Sequence, residues 1–249
     1  MKVPTLILAI SSALWLVSMN QVKAEDEVKS IIDKAIKANG GEDNLKKLNA
    51  LFSKVKGTIH LSGMEIPFHG ATYELDGTQS RTELHLDIAN QQVALLIIYN
   101  KDKGWMKIGD QLTDFSKEQI TEHANLAHAA HLAMLLPLRE KPYKLAKVGD
   151  EKIDGADCVT LLVSKKDRRD VSLSFDKKTN LLVKMQTQVK DEMSAQEVAE
   201  ERFFSDFSET APKLPKKINI KRDGKPFLKM EIEEYKIDQT IDASQFAKP

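Results

Sequence analysis

Alternation of apolar and polar side chains, in one segment after another, is the feature that most constrains the fold of this chain. In residues 79–88, Leu84, Leu86 and Ile88 fall on one side, and polar or charged side chains fall on the other. The same period of two flanks Asp223-Gly224, a dipeptide typical of two-residue hairpin turns. Because alternate side chains of a strand point to opposite faces of a sheet, these segments are predicted to be β-strands.

About ten strands of ordinary length are predicted from this pattern, and most follow one another without an intervening helix. This order favours an antiparallel meander over βαβ units. Such a sheet is too long to stay flat, so its twist is expected to curl it. The predicted fold class is mainly β (α+β): a strongly curved antiparallel sheet forms an open half-barrel, and an N-terminal helix and a mid-chain helix cover its concave face.

Two segments have helical spacing instead. Residues 26–48 place Val28 and Ile32 one turn apart, and Asn39-Gly40-Gly41 is suited to end that helix. The second segment, 116–136, is apolar almost all round in its last eight residues, and Pro137 follows it. It is read mainly as a core helix, or as a helical lid that lines a pocket.

The N-terminus is predicted to be a secretory signal peptide spanning residues 1–24. A basic Lys2 precedes an apolar run from Leu6 to Val17, and Val22-Lys23-Ala24 is suited to cleavage. No later stretch has the roughly 18–20 apolar residues that a membrane span needs. Residues 25–249 are therefore expected to be a single exported domain, periplasmic and soluble, and monomeric.

Charge and cysteine content exclude several classes of function. Removal of residues 1–24 takes two of the 37 basic residues and leaves 35 against 37 acidic ones. A net charge this close to zero does not favour a nucleic acid or an anionic membrane surface as partner. Cys158 is the single cysteine, so neither an intrachain disulfide nor a cysteine metal cluster is expected.

Three histidines in the predicted mid-chain helix suggest a possible metal site. At about 100° per residue, His128 and His131 lie about 60° apart, and His123 lies about 80° from His131. Glu122 points to the opposite side, however, and the chain lacks an HExxH motif. No cofactor or catalytic motif accompanies them, so the prediction is a non-enzyme without metal or cofactor. A pH-responsive helix and a metal-dependent enzyme remain alternatives.

The chain resembles the outer-membrane lipoprotein-sorting (LolA/LolB-like) superfamily, in a bacterial exported branch. The resemblance rests on AIKANGGEDNLKKLNALFSKVKGTIH, on KIDGADCVTLLVSKKDRRDVSLSFDKKTNLLVKM and on the closing IDASQFAKP. It implies helices over the concave face of a curved sheet, and a cavity that takes acyl chains. Carriers of this superfamily also have an arginine that latches the lid; Arg81 is the nearest candidate, and the role is not transferred to it.

The function predicted from the residues and the resemblance together is non-catalytic binding of lipoprotein acyl chains or another lipid-like ligand in the cell envelope. The alternative is an envelope sensor or structural module that binds proteins through the same scaffold. The residues predicted to face the ligand are Leu84, Leu86, Val93, Leu95, Ile97, Trp105, Leu132, Met134 and Leu135.

Overall fold

A computed structural model describes residues 24–191 and 195–249. The predicted signal peptide lies outside the described residues, apart from Ala24. Within the described part of the chain, the strands in order are β1 (Ala50–Leu61), β2 (Met64–Leu75), β3 (Gln79–Ile88), β4 (Gln91–Asn100), β5 (Lys103–Ile108), β6 (Gln111–Asp114), β7 (Lys144–Ile153), β8 (Ala156–Ser164), β9 (Val171–Asp176), β10 (Leu182–Lys190), β11 (Glu197–Phe207), β12 (Pro215–Arg222) and β13 (Lys225–Ile237).

These strands form one antiparallel sheet in the order β6-β5-β4-β3-β2-β1-β13-β12-β11-β10-β9-β8-β7. Two meanders, β1–β6 and β7–β13, are joined where the first strand pairs with the last. The two edge strands, β6 and β7, are consecutive in the chain. The segment that connects them therefore has to cross from one edge of the sheet to the other.

That crossing segment contains the long helix α3 (Lys117–Ala133), and its contacts show how strongly the sheet curves. Tyr99 of β4 stacks on His123, with ring centroids 6.0 Å apart, while the Lys190 amide of β10 donates to Glu122 at 3.0 Å. On a flat sheet β4 and β10, seven positions apart, would lie about 34 Å from each other, at about 4.8 Å per strand. One helix of about 10–12 Å diameter touches both, so the sheet is an open, curved half-barrel with α3 on its concave side.

The remaining helices lie before the sheet and at the chain end. Residues 24–38 form α1, and Glu42–Lys46 form α2. Short 3-10 helices span Lys47–Asn49, Leu136–Arg139 and Ala243–Phe246.

Helix α3 has a well-defined start and an early end. The Ser116 hydroxyl accepts from the Gln119 amide at 3.2 Å, and the Gln119 side chain accepts from the Ser116 amide at 2.9 Å. This reciprocal capping box satisfies two otherwise free amides. The helix ends at Ala133, three residues before the predicted end, because Leu135 adopts a left-handed φ of 69° that cannot continue an α-helix.

The sheet has three more strands than the sequence predicted. Strand β2 was missed because Pro67 and Gly70 interrupt its pattern. Pro67 is tolerated because β3 pairs with β2 only from Phe68 onward, so no partner needs the missing amide on that side. A Cβ at Gly70 would come within 1.9 Å of the Glu83 carbonyl oxygen, so the neighbouring strand needs glycine there.

The edge strands β6 and β7 were missed for a different reason. All four residues of β6 are exposed, and β7 is rich in lysine and carries a bulge between Lys147 and Gly149. Neither has a clean apolar face. Short, charged and bulged edge strands resist pairing with other chains. The exposure, the charge and the bulge that obscured the strand pattern in the sequence therefore also protect the two edges of the sheet.

Apolar packing occupies both faces of the sheet. The largest cluster lies on the concave side, where α1 and α3 pack on β8–β10 through residues such as Ile32, Leu132 and Leu173. On the other face, Ile98 and Trp105 pack against Phe246 of the C-terminal segment. The predicted fold class is confirmed by this architecture. Among the described helices, none is both long and apolar enough to span a membrane.

Candidate ligand-binding cavity

A cavity of about 230 Å³ lies between the C-terminal end of α3, the α1–α2 region and the concave face of the sheet. Its apolar wall includes Leu45, Leu48, Val55, Met134, Met185 and Phe204. This volume is below the roughly 300–1,000 Å³ typical of small-molecule sites. The cavity therefore has room for part of an acyl chain.

The apolar surface continues beyond the cavity along the same face of the first meander. Val55 and Met230 line the cavity and also belong to a cluster that includes Leu84 and Leu95. Leu95 pairs with Ile108 of β5, which is 47% exposed. A ligand longer than the cavity thus has an apolar path toward solvent across β2–β5.

Polar groups occupy one part of the cavity wall. Arg202 lines it and donates through Nε to Glu200 at 2.8 Å, while Arg222 donates to the other Glu200 oxygen at 3.0 Å. Burial alone would raise the pKa of Glu200, but the two guanidinium groups hold that pKa below its usual range. Glu74 also lines the cavity, and burial raises the pKa of its carboxyl, with Arg202 opposing the rise.

Helix α3 is held differently at its two ends. Toward its start, Arg169 Nη1 donates to both carboxylate oxygens of Glu122, at 2.8 and 2.6 Å. Toward its end, Ala129 and Leu132 are buried to 1% and 0% exposure in the main core cluster. The start of α3 is thus attached by charged contacts and its end by apolar packing.

The three histidines of α3 contact three different parts of the protein. His123 stacks on Phe115 with centroids 4.5 Å apart, and His128 stacks on Tyr143 at 5.6 Å. His131 packs on the β2–β3 turn, where a side chain at Gly77 would collide with its ring. The described residues include no group of three or more His, Cys, Asp or Glu side chains placed to hold a metal ion.

Burial lowers the pKa of each of these histidines, most clearly for His128, whose pKa falls to about 4. Desolvation is the main cause for His128, and the positive charges of Arg168 and Lys165 and the neighbouring His131 lower the pKa further. These rings are therefore packed in the neutral form. That is a property of core or lid histidines, and it makes α3 sensitive to acid.

The structure brings most of the residues predicted to face the ligand to the concave side. Met134 and Leu135 line the cavity, and Leu132 lies next to it in the core. The sheet register puts the five predicted residues of β3 and β4 on the concave face: Leu84, Leu86, Val93, Leu95 and Ile97. Trp105 lies on the opposite face, because it pairs with Ile98 and packs against Phe246.

Several lining residues escaped sequence reasoning. Leu45 and Leu48 precede the sheet, and Phe204 and Tyr235 lie in strands whose facing could not be set without the register. Glu74 lies in β2, the strand that was not predicted. The alternation of Val55 with Lys54 and Lys56 was a usable signal for that residue.

Arg81, the nearest sequence candidate for a lid latch, contacts a different element. It lies on the face opposite the cavity, where Nη1 donates to the Gln245 carbonyl at 3.0 Å and Nε contacts Glu83. Asn100 likewise donates to the Phe246 carbonyl at 3.1 Å. Arg81 thus fixes the C-terminal segment against the convex face.

Comparison with solved structures identifies the class of fold. A DUF1329 family protein from Desulfovibrio piger matches with a TM-score of 0.54 and 16% identity, over 88% of this chain and 97% of the other. A LolA superfamily protein from Nitrosomonas europaea gives 0.53 and 14%, over 89% and 97%. A putative outer membrane lipoprotein-sorting protein domain from Vibrio parahaemolyticus gives 0.51 and 10%, over 86% and 97%.

The protein therefore has a LolA-like fold, as the sequence resemblance indicated. No family model matches its sequence, and no curated protein matches it. At these identities the likeness shows the architecture of the curved sheet and its helices. The fold alone does not determine what the cavity of this chain holds.

Proposed function

We propose that the protein is an exported, non-catalytic carrier that holds the acyl chain of a lipid or lipoprotein in the concave cavity beneath α3, and that it acts as a soluble monomer in the cell envelope. The observation that carries the proposal is the apolar cavity itself, continuous with an apolar sheet face. The fold shared with a lipoprotein-sorting domain supports the same class of function. The predicted signal peptide supports export.

The energetics of such binding follow from the chemistry of the wall. Burial of apolar ligand surface contributes about 25 cal/mol per Å². Met134 and Met185 contribute flexible, polarizable side chains, which suit a wall that accepts chains of different shape. Release requires part of this contact to be undone, and the helix that covers the cavity is the element whose movement would do so.

A blocking substitution tests the proposal directly. Ala130 lines the cavity from α3, so Ala130→Trp is expected to occupy space that the ligand needs. Displacement of about 60 Å² of ligand contact would weaken binding about tenfold. Ala146→Trp is the matched control, because Ala146 is exposed on the edge strand β7.

The measurement is titration of a fluorescent fatty-acyl probe, together with native mass spectrometry of gently purified protein. Retained lipid in the wild type, and loss of probe binding in Ala130→Trp alone, would support the carrier. A lipid-free wild type that binds no acyl probe would contradict it. A stable protein partner in place of lipid would favour the envelope sensor or structural module.

A further inference from the structure

Three polar residues face the cavity from two neighbouring strands. Ser53 of β1 pairs directly with Thr72 of β2, and Glu74 lies two residues further along the same face of β2. All three line the cavity, whose wall is otherwise largely apolar. They form a compact polar patch, which we call the Glu74 patch, where a bound acyl chain would place its head group.

The other polar groups of the cavity wall already have partners. Tyr235 Oη donates to the Pro215 carbonyl at 2.6 Å, and Asn39 Nδ2 donates to the Ala35 carbonyl at 2.9 Å. Arg202 is paired with Glu200, as described above, and Lys213 Nζ donates to the backbone carbonyl of the exposed Glu209.

The side chains of the Glu74 patch have no such partners. Within residues 24–191 and 195–249, Glu74 forms neither a hydrogen bond nor an ion pair, and the hydroxyls of Ser53 and Thr72 have no hydrogen-bond partner. Ser53 is buried, whereas Thr72 and Glu74 are half-buried where they line the cavity, so their polar groups are open to a ligand. A carboxyl group on an apolar wall is costly to keep ionised unless a positive charge meets it.

The chemistry that completes this patch is that of a primary ammonium group. An ammonium carries three N–H donors and no acceptor, and the patch offers one carboxylate and two hydroxyl oxygens as acceptors. A fatty-acid carboxylate would instead meet the Glu74 carboxylate as a like charge, and an alcohol would supply a single donor. The positive charge of Arg202 acts on Glu74, but the Arg202 guanidinium is already paired with Glu200, a carboxylate that it shares with Arg222.

We propose that the carried ligand has a primary amine head group, which Glu74 binds as an ammonium with help from Ser53 and Thr72, while its acyl or alkyl chain lies along the apolar wall. This inference rests on the proposed carrier function and specifies the ligand of the same cavity. Burial raises the pKa of the unliganded Glu74 carboxyl, and the positive charge of Arg202 offsets that rise only in part, so a bound ammonium would further favour the carboxylate.

The test compares three probes of equal chain length, hexadecylamine, hexadecanol and palmitate, each below its aggregation concentration. Hydrogen bonds to charged groups contribute about 1.5–3 kcal/mol, so the wild type is expected to bind the amine about 10- to 100-fold more tightly than the alcohol or the acid. Glu74→Gln should remove this preference, because it should weaken binding of the amine far more than binding of hexadecanol. Glu65→Gln, on the exposed part of the same strand, is the control and should behave as wild type.

Each outcome separates the inference from the function on which it rests. Equal binding of all three probes, or an amine preference that persists in Glu74→Gln, would overturn the amine assignment. Neither result would contradict the proposed carrier function. Preference for palmitate would overturn it too, and would point to Arg202 as the group that binds the head. Failure of all three probes would overturn the carrier function, and the amine assignment with it. Circular dichroism of Glu74→Gln controls for folding, which removal of an unpaired carboxylate should not impair.

Discussion

The contact between Glu122 and Arg169 is expected to hold the start of α3 against the second meander. Arg169 also donates to Glu197 at 2.9 Å, and the Lys190 amide donates to Glu122 at 3.0 Å. Glu122→Ala removes the acceptor from both Arg169 and Lys190. We expect it to destabilise the attachment of α3 and leave the sheet intact.

The expected loss of stability follows from the partial burial of the Glu122–Arg169 ion pair. The Glu122 and Arg169 side chains are 15% and 22% exposed, which places them between surface pairs and buried pairs. Surface pairs contribute about 0–1 kcal/mol, whereas breaking a buried pair costs about 3–5 kcal/mol. A coupling energy of about 1–2 kcal/mol is therefore expected, and about 2–3 kcal/mol for Glu122→Ala alone, because the Lys190 amide also loses its acceptor.

A double-mutant cycle of Glu122→Ala and Arg169→Ala, followed by urea denaturation and by hydrogen exchange of α3, measures both quantities. Glu118→Ala is the matched control: its 3.3 Å pair with Lys190 lies one turn earlier on α3, and Glu118 is 79% exposed. That variant should stay within about 0.5 kcal/mol of wild type. A coupling energy below about 0.5 kcal/mol, or equal effects of Glu118→Ala and Glu122→Ala, would refute the reasoning.

Three further predictions concern the core, the sheet and the histidines. Leu132→Ala, at a fully buried position, should lower the free energy of unfolding by about 2–5 kcal/mol in urea denaturation, and a loss below 1 kcal/mol would contradict its place in the core. Gly70→Ala should lower the melting temperature, because the new Cβ would collide with the Glu83 carbonyl; an unchanged temperature would mean that β2 and β3 separate at no cost. The pKa of His128 is depressed to about 4, so the folded state binds fewer protons than the unfolded state below about pH 6.5. The stability that the neutral His128 contributes is present above pH 6.5 and is lost as pH falls toward 4. Allowing for its partial exposure, about 1–2 kcal/mol should be lost between pH 7 and pH 5. His128→Phe should flatten this part of the stability profile, and an equally steep profile in that variant would assign the effect to other groups.

The sequence was sufficient for the fold class and for most of the strands, because alternation and turn chemistry are local properties. Residues 79–88 and the Asp223-Gly224 hairpin carry their strand signal whatever lies beside them. The sheet register is not local, and it decides which side of each strand faces the cavity. Both sides of residues 92–100 are apolar, so the pattern does not show which side of that strand faces the cavity. Trp105, in the next strand, was predicted to face the ligand, but it pairs with Ile98 on the opposite face.

The polar part of the site was hidden for a related reason. Glu74 and Thr72 belong to β2, whose Pro67 and Gly70 break the alternation that marks a strand. Both irregular residues are explained only by the neighbouring strand β3. Pro67 lies just before the pairing with β3 begins, and Gly70 is required by the close approach of the Glu83 carbonyl. Reasoning from single strands therefore found the apolar wall and missed the carboxylate within it.

In the proposed carrier, we expect the topology to couple ligand binding to closure of the half-barrel. Helix α3 joins the two edge strands, and the cavity is walled by α3, by β1 and β2, and by β10–β13. A ligand in the cavity therefore contacts α3 and both meanders, as α3 itself does through Tyr99 and Lys190. At a concentration 100 times its Kd, such a ligand stabilises the closed state by about 2.7 kcal/mol, which is comparable to the expected cost of losing the Glu122 contacts. If the protein is such a carrier, bound ligand would offset the loss of that attachment, and the empty protein would depend on the Glu122 contacts to keep α3 over the cavity.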